Sequence, residues 1–308
     1  FVGAHFQKPD DIRFRQVSAR YSYLDDWVGI SGFDIELTGD VTTMSYRPPR
    51  SIETNVGQEY RLAIDFACSG LTMTRPVQRK VSMTQTTWIT IESQQEKSLD
   101  EYLSVLFRIQ NLLSLAVSEP VSLLELQGKT EVSKTEFDGR TIYDPVRICC
   151  RQSFAPAERT DFLWFDMLFR FEDISDRFHV IIENWFKNLE ELRSSVDLYF
   201  ASLYNPKMYL EHKFLSVVQA LESYHRLKVR RNERSDEEHK IRVDEIMRAV
   251  PTQYREWLDR KLDRYSNELS LRARLKELLN HHAAIAGSAA DDRSEFVNDV
   301  VDTRNYLT

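Results

Sequence analysis

The spacing of apolar and polar positions divides the chain into two parts of different character. Over the first 155 residues the signals are those of strands: Ser22 to Leu37 mixes aromatic with β-branched residues, Tyr60 to Met73 alternates, and Val81 to Ile91 is rich in Thr and Ile. Pro48-Pro49, Gly57, Gly70 and Asp138-Gly139 punctuate these runs with turn chemistry, so the pattern predicts an antiparallel sheet. One helix interrupts it, from about Ser98 to Val117. Ser98 is its N-cap, Glu101 closes a capping box, and Leu99, Leu103, Leu106, Ile109 and Leu113 form its apolar stripe.

After about residue 158 the period becomes helical, through Phe178, Ile181, Ile182, Trp185, Leu189 and Leu192. Asn205-Pro206 marks a boundary, because the residue before a proline is pushed out of the helical region and proline suits a first helical turn. Further helices are predicted near 206–230, 236–249, 252–264, 267–281 and 293–308, with breaks at Arg234-Ser235, Pro251 and Gly287-Ser288. No internal repeat or low-complexity tract occurs, which argues against a solenoid or a disordered tail. The fold class expected is therefore α+β: a β-rich antiparallel N-terminal domain with trailing helices over residues 1–204, then an all-α bundle over 205–308.

Composition narrows this picture. A chain of 308 residues is longer than most single cores, in line with two domains, and its 42% hydrophobic and 29% charged content is ordinary. No apolar run approaches the roughly 18 residues that span a bilayer, so no membrane segment is expected. The first residue is Phe1 and no charged-then-apolar leader follows, so the sequence reads as starting inside a longer frame. Three cysteines, Cys68, Cys149 and Cys150, form an odd and sparse set with an adjacent pair poorly placed to bridge, which points to a reducing cytoplasm. The net charge of -7 is unevenly spread: residues 205–308 hold 19 Lys and Arg against 18 Asp and Glu, the remainder 22 against 30. The acidic first part is a poor match for a nucleic-acid backbone.

The last segment, Asp292 to Thr308, carries the most chemical information. At about 100° per residue with Phe296 as origin, Leu307 falls at ~20°, Val300 at ~40°, Val297 at ~100° and Val301 at ~140°. Arg304 falls at ~80°, in the middle of that apolar face. A guanidinium there either snorkels along its stem, sits in an interior ion pair, or offers a planar fork to a phosphate.

Asp302-Thr303-Arg304-Asn305-Tyr306-Leu307-Thr308 resembles the motif of HEPN ribonucleases, an arginine, a polar residue and a histidine four to six positions after the arginine. Phe214-Leu215-Ser216-Val217-Val218-Gln219-Ala220-Leu221-Glu222-Ser223-Tyr224-His225-Arg226 resembles the opening helix of the ApeA-like branch of that family. Members of that branch are bacterial anti-phage factors that join a β-rich N-terminal domain to a C-terminal HEPN domain, and the order of parts matches.

The resemblance implies that residues 205–308 are a HEPN domain cut off just before its histidine, and that a chain ending at Thr308 is inactive. It implies a cytoplasmic endoribonuclease of abortive infection that cleaves host or phage RNA, with transfer RNA as a candidate substrate. No metal or other cofactor takes part: the ribose 2′-hydroxyl attacks the neighbouring phosphate and leaves a cyclic phosphate end. Arg304 would bind the scissile phosphate, Asn305 would orient the histidine or the RNA, and the histidine would shuttle protons. A homodimer through the HEPN domain would bring two motifs face to face, and a phage-derived trigger would act on the N-terminal domain. The alternative is a non-catalytic HEPN-like module for dimerisation or for holding a nucleotide or protein.

Other residues add candidates. On the helix wheel of residues 210–228, Phe214, Val217, Val218, Leu221 and Tyr224 form the apolar face, with Glu222 at its border and His225 inside it. Glu222 is a candidate catalytic partner for Arg304, or a solvated flanking carboxylate. His225 reads as a hydrogen-bonded core histidine or as a second catalytic group. Arg226, Lys228, Arg230, Arg231 and Arg234, opposed only by Glu233, suit RNA binding or a solvated helix end. His281 and His282 fall on different faces, no H-E-x-x-H or C-x-x-C occurs, and no glycine-rich phosphate loop is present, so no metal is indicated. Tyr21, Tyr23, Trp27 and Phe33 are expected in the sheet core.

Overall fold

Strand β1 (Arg13–Tyr21) is the central member of an antiparallel sheet, flanked by β6 (Lys80–Ser98) and β7 (Leu123–Lys129). The computed structural model describes residues 1–74, 80–150, 162–262, 266–283 and 292–308. They form two compact units, Phe1–Asn188 and Leu189–Thr308.

In the first unit the six strands run in the order β10-β7-β1-β6-β5-β4, every neighbouring pair antiparallel, with β4 (Ile52–Val56), β5 (Tyr60–Thr74) and β10 (Val146–Arg147) completing the sheet. Period-2 alternation of β-branched and aliphatic residues sets the register: Leu62 faces Ile91 and Ile64 faces Ile89, all four buried. The expected strand over Ser22–Leu37 is corrected. Leu24, Trp27 and Val28, spaced at i, i+3 and i+4, form a short helix α1 (Leu24–Val28) and bury together, while β2 begins only at Phe33. Two hairpins stand apart from the sheet, β2–β3 (Phe33–Thr38 with Val41–Tyr46) and β8–β9 (Lys134–Phe137 with Arg140–Tyr143).

Helix α2 (Leu99–Val117) starts at the predicted cap, where the Ser98 hydroxyl accepts from the Glu101 amide and the Glu101 carboxylate accepts from the Ser98 amide at 2.9 Å. Its buried stripe is broader than predicted and is centred on Tyr102, Leu106, Ile109 and Leu113, with Leu99 and Leu103 only half-buried. Tyr102 donates to the carbonyl of Arg15 at 2.7 Å and Tyr21 donates to that of Leu106 at 3.0 Å, so helix and sheet are tied by phenols as well as by apolar packing. Gly128 on β7 lies against the ring of Phe14, and a β-carbon there would enter the ring. The short α3 (Phe171–Ile174) and then α4 (Phe178–Glu191) add Phe171, Ile174, Phe178 and Ile182 to the same core. The expected change of character near residue 158 lies outside the described residues.

The second unit is helical: α5 (Arg193–Leu203), α6 (Leu210–Val229), α7 (Asp236–Ala249), α8 (Thr252–Leu262), α9 (Leu271–His281) and α10 (Arg293–Leu307). The predicted division at 204/205 falls between α5 and α6, which are joined side by side through Ser195 donating to the Ala220 carbonyl at 2.7 Å and a Ser194–Ser223 hydroxyl pair at 2.8 Å. Helix α6 begins at Leu210, four residues later than Pro206 suggested. Serine caps set α7 and α9, with Ser235 and Ser270 accepting from the amides three residues on. The predicted break at Gly287-Ser288 lies outside the described residues.

Candidate functional site

Helix α10 starts at Asp292, whose carboxylate accepts from the amides of Ser294 and Glu295 at 2.8 and 3.0 Å. It buries Val297 and Val301 against Leu275 of α9, with Leu271, Leu279 and Val300 half-buried around them. The packed face is narrower than the wheel suggested, since Phe296 keeps 42% of its surface exposed. Arg304 lies one turn beyond Val300 and Val301 and is half-buried. Its Nη1 donates to the side-chain oxygen of Asn305 at 3.2 Å, and among the described residues no carboxylate pairs with it. A guanidinium carries five N–H donors, of which the bond to Asn305 uses one.

Glu222 does not meet Arg304. It accepts from Arg226, one helical turn on, at 3.1 Å, and Arg226 also reaches Glu268 at 2.8 Å. The Glu222 carboxylate is thus drawn along its own helix, where an i,i+4 pairing with arginine is geometrically easiest.

His225 is fully buried and held from both sides. Nδ1 lies 3.2 Å from Nη1 of Arg274 and Nε2 lies 2.9 Å from the Glu277 carboxylate. Arginine only donates, so Nδ1 accepts and the ring proton sits on Nε2, which donates to Glu277. This arrangement describes a neutral imidazole inside the bundle and leaves no ring nitrogen for a substrate. Arg274, 3% exposed, also donates to the Leu269 carbonyl at 2.9 Å and to Glu268 at 3.0 Å. Charges therefore alternate from Glu222 through Arg226, Glu268 and Arg274 to the neutral His225, then Glu277 and Arg231.

Arg274, Glu268 and Glu277 were missed at the level of sequence. The signal was available: Leu271, Arg274, Leu275, Leu278 and Leu279 form an apolar stripe at helical spacing with an arginine inside it, the same signature that singled out Arg304.

Residues 1–185 match the family model of ApeA N-terminal domain 1, and residues 215–308 match that of the Apea-like HEPN domain. The chain belongs to the ApeA family. No curated protein and no solved structure matches it. In this ApeA-like protein the HEPN match runs from within α6 to the end of α10, and so takes in Glu222, His225, the basic cluster and Arg304-Asn305.

The basic cluster of the HEPN domain is not bare. Lys228 and Arg230 share the Glu191 carboxylate at 3.1 and 3.2 Å, Arg231 meets Glu277 at 3.1 Å, and Arg226 has its two glutamates. The two cations on Glu191 hold its pKa below the ordinary carboxylate value, the bond from Lys228 contributing most. All four cations remain substantially solvent-exposed, and exposed pairs of this kind are screened by water and salt, so a phosphate can exchange for a carboxylate. Among the described residues no group of three or more His, Cys, Asp or Glu stands close enough to hold a metal ion, and no helix is long and apolar enough to cross a membrane.

Proposed function

We propose that this protein is an anti-phage endoribonuclease acting in abortive infection, with residues 205–308 as its cutting domain and residues 1–204 as the part that receives a phage-derived trigger. Supporting this reading above all is Arg304: a half-buried arginine at the end of α10 whose guanidinium, among the described residues, is held by Asn305, inside a segment that matches the Apea-like HEPN domain. In the reaction, the ribose 2′-oxygen forms a bond to phosphorus and the bond to the 5′-oxygen breaks. A base takes the 2′-hydroxyl proton, and the 5′-oxygen leaves with a proton, giving a 2′,3′-cyclic phosphate and a 5′-hydroxyl. Arg304 stabilises the extra charge on the crowded phosphate, and Asn305 fixes the guanidinium plane. The resemblance assigns proton shuttling to a histidine four to six positions after the arginine, and Thr308 holds the first of those positions here. Two copies pair through the HEPN domain so that two motifs face each other. Host or phage RNA in the cytoplasm, transfer RNA among it, is the substrate.

The test incubates the protein, expressed from its whole reading frame, with total bacterial RNA and a chelator, beside Arg304→Ala. Discrete fragments with cyclic phosphate ends, lost in the variant, are the expected result. Intact RNA, with lysate of phage-infected cells also supplied as trigger, refutes it. The second reading, a non-catalytic HEPN-like module for dimerisation or for binding a nucleotide or protein, is favoured by one observation. Each of Arg226, Lys228, Arg230 and Arg231 already has a carboxylate partner, as a scaffold needs and a substrate cleft does not. Under that reading RNA stays intact and the oligomeric state is retained.

A further inference from the structure

A groove of about 750 Å³ opens between the C-terminal ends of α6 and α9. Three aromatic rings follow one another along it. Tyr224 and His282 have ring centroids 6.2 Å apart with planes tilted by 49°, and His282 meets His281 edge to face at 4.9 Å and 86°. Lys228 and Arg231 line the same groove. A space of this size suits a small organic ligand of nucleotide dimensions.

The charges decide what kind of ligand fits. Two helices end here, and their carbonyl ends carry partial negative charge that by itself repels an anion. The cations must therefore come from side chains. Lys228 pairs with Glu191, which Arg230 also shares, and Arg231 pairs with Glu277, itself a lining residue, so these solvent-exposed cations meet an anion by exchanging a carboxylate for it. Aromatic faces next to exchangeable cations are the means by which single-stranded nucleic acid is held: bases stack and phosphates meet Lys and Arg.

We propose that this groove seats one nucleotide of a single-stranded RNA segment, its base set among the rings of Tyr224, His282 and His281, stacked on one face and met edge-on by the next, and its phosphate against Lys228 and Arg231. The inference rests on the reading of this domain as RNA-directed, and adds to it three aromatic residues that neither the motif nor the basic cluster contains. A free mononucleotide offers the same base and phosphate, so the test separates the two sources.

The full chain is titrated against a fluorescein-labelled 2′-O-methyl RNA decamer, which lacks the attacking hydroxyl and so keeps binding apart from cleavage. The variants are His281→Ala/His282→Ala, Tyr224→Leu, Tyr224→Phe and Lys213→Ala, with thermal unfolding run on each. Loss of a stacking platform is expected to weaken binding about tenfold in the double-histidine variant and in Tyr224→Leu. Tyr224→Phe, which keeps the ring, and Lys213→Ala, which removes an exposed cation from the first half of α6 away from the groove, stay within about twofold of the parent. Should Tyr224→Leu unfold, the exposed His281 and half-buried His282 carry the test alone.

Equal RNA affinity in the parent and the double-histidine variant overturns the proposal while leaving the nuclease reading in place, because Arg304→Ala in the cleavage assay reads that separately. Absence of decamer binding by the parent overturns it also; cleavage then tells whether the nuclease reading falls with it. Displacement of the decamer by UMP or AMP at equal concentration overturns the assignment to an RNA strand and assigns the groove to a free nucleotide.

Discussion

Replacing Arg274 by Met removes one charge from the inside of the helical unit and leaves the volume nearly filled, so the loss can be worked bond by bond. Arg274 donates to His225 Nδ1, the Leu269 carbonyl and the Glu268 carboxylate. His225 is fully buried, and an orphaned acceptor there costs about 1–3 kcal/mol. Glu268 is 30% exposed and keeps Arg226 at 2.8 Å, so its share is screened to about 1 kcal/mol or less. The half-buried Leu269 carbonyl can turn to water and adds little. The expected destabilisation is about 3 kcal/mol, which for a unit of some 120 residues lowers its melting temperature by roughly 10 °C. Calorimetry on the full chain reads this as a lowered transition temperature. The double variant His225→Leu/Arg274→Met removes acceptor and donor together, and should recover at least about 1 kcal/mol relative to Arg274→Met. A single variant within about 0.5 kcal/mol of the parent, or two losses that simply add, would show that His225 and Arg274 are not coupled as their hydrogen bond requires.

Two further perturbations test the first unit. Ser98→Ala removes the cap of α2 and should cost about 1 kcal/mol in unfolding. The Glu101 carboxyl is held below its ordinary value of 4.5, chiefly by the Ser98 amide and then by the Ser98 hydroxyl and Lys97, so the native state binds fewer protons than the unfolded chain around that pH. Its contribution is present above the unfolded value and is lost as pH falls through the folded one; Glu101→Gln should therefore flatten the acid-side decline in melting temperature, and an unchanged decline contradicts the assignment. Gly128→Ala should destabilise the sheet by about 1–3 kcal/mol, since the new methyl has to displace the Phe14 ring. Urea unfolding checks it, and a neutral result means that the ring moves freely.

The order of parts, the antiparallel sheet, the capped start of α2 and the start of α7 at Ser235 were legible in the sequence because each rests on local period or on a cap two or three residues away. The family resemblance was legible as well, from two short segments on α6 and α10 that, but for Phe214, fall inside the matched HEPN region. The arginine inside the apolar stripe of α10 was visible as an anomaly of pattern. What it touches was not, and Asn305 beside it proved to be its partner where Glu222 had been expected.

Partners across elements depend on which helices meet and at what rotation. Glu222 was expected to face Arg304 because both sit near the apolar faces of their helices, yet the shorter reach to Arg226 within α6 prevails. His225 could be read as core or catalytic on its own helix. Arg274 and Glu277, brought in by α9, made it a closed member of the core. Tyr224, His281 and His282 lie some 57 residues apart in sequence and fall on different faces of the chain when read linearly, yet line one groove where α6 and α9 end together. Sequence period thus determined the elements and their apolar sides; only packing determined which charged and aromatic groups share a space, because that is fixed by helix crossings between segments far apart in the chain.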